Sequence, residues 1–207
     1  MKKTLILCTI ILLVTGFLFA APSWIGVQGV GSYQQNTTTI DGDEQEHTAN
    51  LGGMNIAGTL YPGESPVGIG FQFGASKTMK ATRGSTELDV EDYPLTYNGA
   101  VMAKFRAGMS EMLALELGAG LMYERTITTY DILGYEAETN LNTLSVLTSA
   151  DLVVHLSDSL ALIGGVGASF PLTTKGTYED SVGTSIEDEY DVKGYTVSGK
   201  VGVGLSF

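Results

Sequence analysis

The sequence predicts an all-β chain, an eight-stranded antiparallel up-and-down transmembrane β-barrel that follows an N-terminal signal peptide. Three observations carry this. Eight segments alternate between large apolar residues and glycine, serine or charge, the period-two signature of strands. The connections between them alternate between tight turns and long polar stretches. After the first twenty residues, no apolar run is long enough to cross a bilayer as a helix.

The chain opens on MKKTLILCTIILLVTGFLFA. Lys2 and Lys3 precede an apolar run from Leu5 to Phe19, and the small residues Ala20 and Ala21 supply a cleavage point. Cutting after Ala20 makes residues 1–20 a removed signal and 21–207 a single barrel domain. Val14-Thr15-Gly16 is the alternative cut, and retention as a transmembrane helix is the alternative fate. Cys8, the only cysteine, sits inside the apolar run and not after it, which argues against a lipoprotein. The exported part therefore has no cysteine, and a disulfide scaffold is excluded. The formal charge of −12 becomes more negative once Lys2 and Lys3 leave, which excludes nucleic acid as a partner.

The strands follow in order. Ile25, Val27 and Tyr33 alternate with Gly26, Gln28 and Ser32; Met54, Ile56 and Leu60 with Asn55, Ala57 and Thr59. Val67, Ile69, Phe71 and Phe73 alternate with Gly68, Gly70, Gln72 and Gly74. Tyr97, Val101, Ala103 and Phe105 alternate with Asn98, Ala100, Met102, Lys104 and Arg106. Leu113 through Tyr123 alternate with Ala114, Glu116, Gly118, Gly120 and Glu124. Leu144, Val146, Ala150 and Leu152 alternate with Ser145, Leu147, Ser149, Asp151 and His155. Leu160, Leu162, Val166 and Phe170 alternate with Ala161, Ile163, Gly165 and Ser169. The last strand, YTVSGKVGVGLSF, sets Tyr195, Val197, Val201, Val203, Leu205 and Phe207 against Thr196, Ser198, Lys200 and Gly202.

Tight turns fall at 61–66, 110–112 and 157–159, and long polar connections are expected at about 35–50, 79–95, 126–141 and 172–191. A soluble barrel would turn the bulky set inward. Here the opposite set is small, with a few ions, which suits a narrow lumen, while the bulky set suits lipid. A slip of one residue would turn Lys104, Arg106 and Lys200 toward hydrocarbon at about 2–4 kcal/mol each. The sum, about 6–12 kcal/mol, matches the stability of a whole domain, so the phase is fixed. An interfacial aromatic girdle is expected from Tyr33, Tyr97, Tyr123, Phe170 and Tyr195 near the long connections, and from Trp24, Phe105 and Phe207 toward the short turns.

The signal, the eight alternating strands and the closing YTVSGKVGVGLSF with terminal Phe207 resemble the small bacterial outer-membrane β-barrels of the OmpA-transmembrane, OmpX and OmpW type. The resemblance is architectural and assigns no subfamily. It implies residence in the bacterial outer membrane, with long loops extracellular and both termini periplasmic. It also implies that Tyr195, Val203, Leu205 and Phe207 form an insertion signal read by the barrel-insertion machinery.

Inward charges Lys104, Arg106, Glu116, Glu124, Asp151 and Lys200 number three of each sign, and cross-barrel ion pairs are expected to fill the lumen. The competing reading makes inward glycines, Met102, Leu147 and Ile163 an OmpW-like conduit for small or hydrophobic solutes. Ser149, Asp151 and His155 have the residue types of a hydrolase triad but spread along roughly 20 Å of strand, so no enzyme is expected. No cofactor and no transition-metal site is expected either. Most of the 23 acidic residues fall in the long connections: Asp41 to Glu46, Glu87 to Asp92, Asp131 to Glu138 and Glu179 to Asp191. They read as a solvated surface, or as a docking place for a divalent cation or a basic surface partner. The functional expectation is a monomeric structural or surface-interaction protein presenting acidic loops on a plugged barrel; the alternative is a narrow channel.

Overall fold

The computed structural model describes residues 23–40, 43–63, 65–87, 94–110, 112–132, 135–180 and 185–207. The expected signal, residues 1–20, lies outside these, as do Asp41, Asp89, Glu91 and Asp92 and the side chains of Asp131, Glu136, Glu179, Asp180 and Glu187. The strands are β1 (Trp24–Ile40), β2 (Asp43–Leu60), β3 (Val67–Arg83), β4 (Thr86–Glu87), β5 (Leu95–Gly108), β6 (Leu113–Ile132), β7 (Tyr135–Ser157), β8 (Leu160–Asp180) and β9 (Ser185–Ser206). With the two-residue β4 set aside, each of the other eight pairs antiparallel with the next along the chain, β3 with β5 among them, and β1 pairs β9 to close the ring. The closing seam runs from Trp24↔Ser206 to Thr39↔Asp191, and backbone bonds of 3.0 Å join Ser23 to Phe207 in both directions. The two-residue β4 pairs only with β3, across a turn in which Gly84 takes a φ of 58°.

Side-chain phase follows the alternation. Val201 is 70% exposed and Leu121 52%, whereas Lys104 is 3% and Asp151 1% exposed. A barrel stable in water would invert these values; this one needs an apolar solvent around it. Tyr33, Tyr97, Phe105, Tyr123, Phe170, Tyr195 and Phe207 all face outward. Two of the tyrosines reach polar partners at their tips: Tyr123 donates to Asn142 Oδ1 at 2.7 Å and Tyr195 to Gln35 Oε1 at 2.9 Å. That is the behaviour of rings with one apolar and one wet end.

Two expectations are corrected. Trp24 is not part of the outer girdle. It is 2% exposed and shares the inward phase of Gly26 and Gln28, because an even position on β1 faces the lumen whatever its aromatic character. The long polar connections are mostly strand. β1 and β2 stay paired to Ile40↔Asp43, β6 and β7 to Ile132↔Tyr135, and β8 and β9 to Glu179↔Ser185. Thr37 to Thr39, Thr126 to Thr129 and Tyr178 are strong strand formers. Beyond the bilayer neither face has to be apolar, so the ladder continues after the alternation stops.

Candidate lumen site

The lumen has two halves. At the short-turn end, the odd phase of β2 carries inward through Thr59 to Tyr61, which is completely buried. Its ring lies 5.6 Å from the Arg106 guanidinium, and its backbone N–H donates to Ser23 Oγ at 3.1 Å. Arg106 donates to His155 Nε2 at 2.8 Å. Because arginine can only donate, His155 carries its proton on Nδ1, which donates to Ser206 Oγ at 3.1 Å.

One step further in, Trp24 Nε1 donates to the Glu116 carboxylate at 3.2 and 3.3 Å, and Thr59 Oγ1 donates to Glu116 Oε2 at 3.0 Å. Trp24, Ala57, Val153, Ala161 and Ile163 pack around them as one buried apolar cluster. Above lies an ion cluster. Asp151 on β7 takes Lys104 of β5 on Oδ2 and Lys200 of β9 on Oδ1, the latter at 2.7 Å. Lys104 also donates to Ser149 Oγ at 2.9 Å. Glu116 lies directly opposite Asp151 in the β6–β7 register, so two buried cations meet two buried anions.

Glycines make this possible. A Cβ on Gly118 would stand 3.0 Å from Lys104 Cδ and 2.7 Å from Ser149 Oγ, and one on Gly70 would stand 2.9 Å from Lys104 Cε. The long lysine chain crosses the wall over two residues that have no side chain.

The long-hairpin half is open. A cavity of about 270 Å³ runs from His47, Thr82 and Pro94 at its mouth down to Leu147, Ser149 and Lys200. Its wall is lined with hydroxyls and amides, many paired with one another: Thr96 with Thr126 at 2.9 Å, Thr143 with Thr174 at 3.2 Å, and Gln72 Nε2 donating to Asn98 Oδ1 at 3.4 Å. Met122 and Leu147 join Ala100 and Met102 in a buried apolar cluster at its base. Burial and the Arg83 guanidinium hold His47, outside the apolar band, below the ordinary imidazole range.

Of the six inward charges, Lys104, Asp151 and Lys200 form one cluster and Glu116 joins Trp24 and Thr59. Arg106 faces His155 and Tyr61, while Glu124 stands apart on the cavity wall between Asn98 and Thr143. The three triad-type residues divide likewise. Ser149 does reach Asp151, at 3.3 Å, contrary to the spacing argument, but His155 is engaged elsewhere and two lysines occupy Asp151. Gln28, on the expected inward face, is buried, and Tyr61 and Trp24, which were not among the expected lumen residues, complete the filling. Strand parity extended by one position at each end was the available signal.

No family model and no curated protein matches this chain. Solved structures do. OprG from Pseudomonas aeruginosa superposes with a TM-score of 0.60 at 10% identity, covering 91% of this chain and 97% of its own. A major outer membrane protein from Thermus thermophilus gives 0.59 at 12% identity, over 90% and 100%. Neisserial surface protein A gives 0.57 at 10% identity, over 90% and 99%. This is the fold of the small outer-membrane β-barrels. At such identities the likeness speaks for the fold of the barrel and not for its contents; the filling described above is this chain's own.

Proposed function

We propose that this chain is an integral outer-membrane protein with a structural or surface-interaction role, its barrel closed at the short-turn end and its long acidic hairpins on the outside. The termini then lie in the periplasm, and outward-facing Tyr195, Val203, Leu205 and Phe207 are the side chains an insertion machinery would read. The supporting observation is the continuous filling of one half of the lumen. Tyr61, Trp24, Glu116, Val153, Ile163 and Asp151 are each no more than 2% exposed, and Trp24, Glu116 and Asp151 are hydrogen-bonded or ion-paired across the barrel. A wet pore would leave such groups solvated.

The hairpins support the second part. Asp43, Glu44, Glu46, Asp188 and Glu189 are exposed, an anionic surface suited to a basic partner, while Glu87 and Asp191, also exposed, pair with Lys80 and Lys193. Among the described residues no three potential metal ligands converge. Planar-bilayer recording of the folded protein tests the closure, with no steady unitary current expected. A steady current that changes in Lys104→Met or Glu116→Gln would replace this reading with that of a narrow channel for small solutes.

A further inference from the structure

We propose that the open half of the lumen is a binding cup for a small organic ammonium ion, held by Glu124. The inference goes beyond the closed-barrel reading, since it needs the cavity and not the absence of current.

Three ionisable residues line the cavity: His47, Glu124 and Lys200. Lys200 is bound to Asp151 at 2.7 Å, and Lys104, Lys200, Asp151 and Glu116 balance one another below the floor. His47 is held toward its neutral form at the mouth. That leaves Glu124 as the unbalanced charge on the wall. Its cross-strand neighbours are Asn98 and Thr143, and each of those side chains is hydrogen-bonded to another residue, Gln72 and Thr174. Among the described residues the Glu124 carboxylate has no hydrogen-bond or ion-pair partner. Glu124 is half-buried, and a carboxylate partly withdrawn from bulk water without a counter-charge is held at a cost, whereas the other inward charges among the described residues have partners. A cation arriving from outside would complete the set.

The surroundings narrow the class. One carboxylate among neutral hydroxyls and amides is too few hard ligands for a calcium site, which takes six to eight oxygens and usually several carboxylates. An ammonium needs only a few hydrogen-bond acceptors, and those are what this wall has in excess. Met122 lies two residues from Glu124 on the same face of β6, and with Leu147 it presents an apolar floor to whatever carries the cation. The ligand is therefore amphipathic, with a charged head at Glu124 and a short hydrocarbon part on the methionine and leucine. A volume of about 270 Å³ sits at the lower edge of ligand cavities, so a few carbons fill it and a peptide would not fit. Exposed Glu44, Glu46, Asp188 and Glu189, on the hairpin segments that continue beyond the cavity, favour the approach of cations.

The test is calorimetric or NMR titration of the full-length folded barrel in detergent with butylammonium, butanol, methylammonium and calcium chloride at about pH 8, where free carboxyls are ionised. Saturable butylammonium binding is expected, with butanol at least about tenfold weaker, the worth of one charge-assisted hydrogen bond. Glu124→Gln, its folding checked by heat-modifiable gel mobility, should lose the same factor. Leu147→Ala provides a second arm that keeps the charge: it should weaken butylammonium and leave methylammonium unchanged. Equal affinity in Glu124→Gln, binding of butanol as tight as that of the amine, calcium displacing the amine, or no saturable amine binding would each overturn the proposal. Closure is read by conductance and this site by titration, so either can fail alone.

Discussion

Replacing Asp151 by asparagine is the most informative perturbation of the lumen. The carboxylate is 1% exposed and carries two ammonium groups, Lys104 (2% exposed side chain) and Lys200 (7%). Removing one partner of a buried ion pair costs about 3–5 kcal/mol, chiefly because the other charge stays buried and uncompensated. Here two charges are stranded, but the loss does not double. Lys104 keeps Ser149 Oγ at 2.9 Å, the asparagine amide oxygen still accepts, and Glu116 remains opposite in register. A loss of about 3–5 kcal/mol is therefore expected. Reversible urea unfolding in lipid vesicles measures it. The chain has one tryptophan, and it is Trp24, buried against Glu116, so its fluorescence reports loss of the filled layer directly. The control is the triple change Asp151→Leu, Lys104→Met and Lys200→Met, which replaces the three charges by apolar groups of similar size and leaves Glu116 its bonds from Trp24 and Thr59. It should return to within about 1 kcal/mol of the parent, since a buried ion cluster is rarely better than a packed apolar substitute. A single substitution that costs less than about 1 kcal/mol, or a triple no more stable than the single, would show that the three side chains are hydrated and that the barrel is not filled.

Four further outcomes follow from the same geometry. Trp24→Phe keeps the bulk and removes the N–H donated to Glu116, and should cost about 1.5–3 kcal/mol by the same unfolding assay, whereas Trp24→Ala adds a cavity and should admit ion current. Gly118→Ala drives a methyl against Lys104 and Ser149 and should cost about 1–3 kcal/mol, while Gly199→Ala, which meets nothing within 4 Å, should be neutral or slightly stabilising. Val201→Arg, on the most exposed lipid-facing valine, should lose about 2–4 kcal/mol in vesicles, and no loss would mean that this face does not meet hydrocarbon. His47 should titrate below 6.5 by NMR, and Arg83→Gln should raise its midpoint. Because its folded pKa is depressed, the stability it protects is complete above about 6.5 and is lost as pH falls through the folded value.

Period-two parity explains why the barrel was readable in the sequence. Each residue on a spanning strand has one of two solvents, and the wrong choice costs several kcal/mol for a single lysine. That penalty wrote the phase of all eight strands into the order of Leu, Val and Phe against Gly, Ser and Lys. The penalty ends at the headgroups, and so does the legibility. Thr37 to Thr39 and Thr126 to Thr129 look like loop because no apolar face marks them, yet they stay in the ladder up to Ile40↔Asp43 and Ile132↔Tyr135. Trp24 was misplaced by giving residue type precedence over parity.

The inside was legible only as a list. Parity names the face of Lys104, Asp151 and Lys200 but not their height or bearing, and the three sit on β5, β7 and β9. What brings them together is the chain of registers Lys104↔Gly118, Gly118↔Ser149, Asp151↔Gly165 and Gly165↔Lys200, which no single strand encodes. Three of the intermediate partners in that chain are glycine or serine. The inward glycines that suggested an open conduit are the positions over which lysine and aspartate side chains lie: a Cβ added to Gly70 or Gly118 would stand only 2.9 or 3.0 Å from the Lys104 chain, and one on Gly165 would run into Asp151. A small residue in a narrow barrel thus has two opposite meanings. Beside a long ionic residue on the next strand it makes room for filling. Where its neighbours are short hydroxyls, as around Glu124 with Thr143, Thr126 and Ser145, the room stays open.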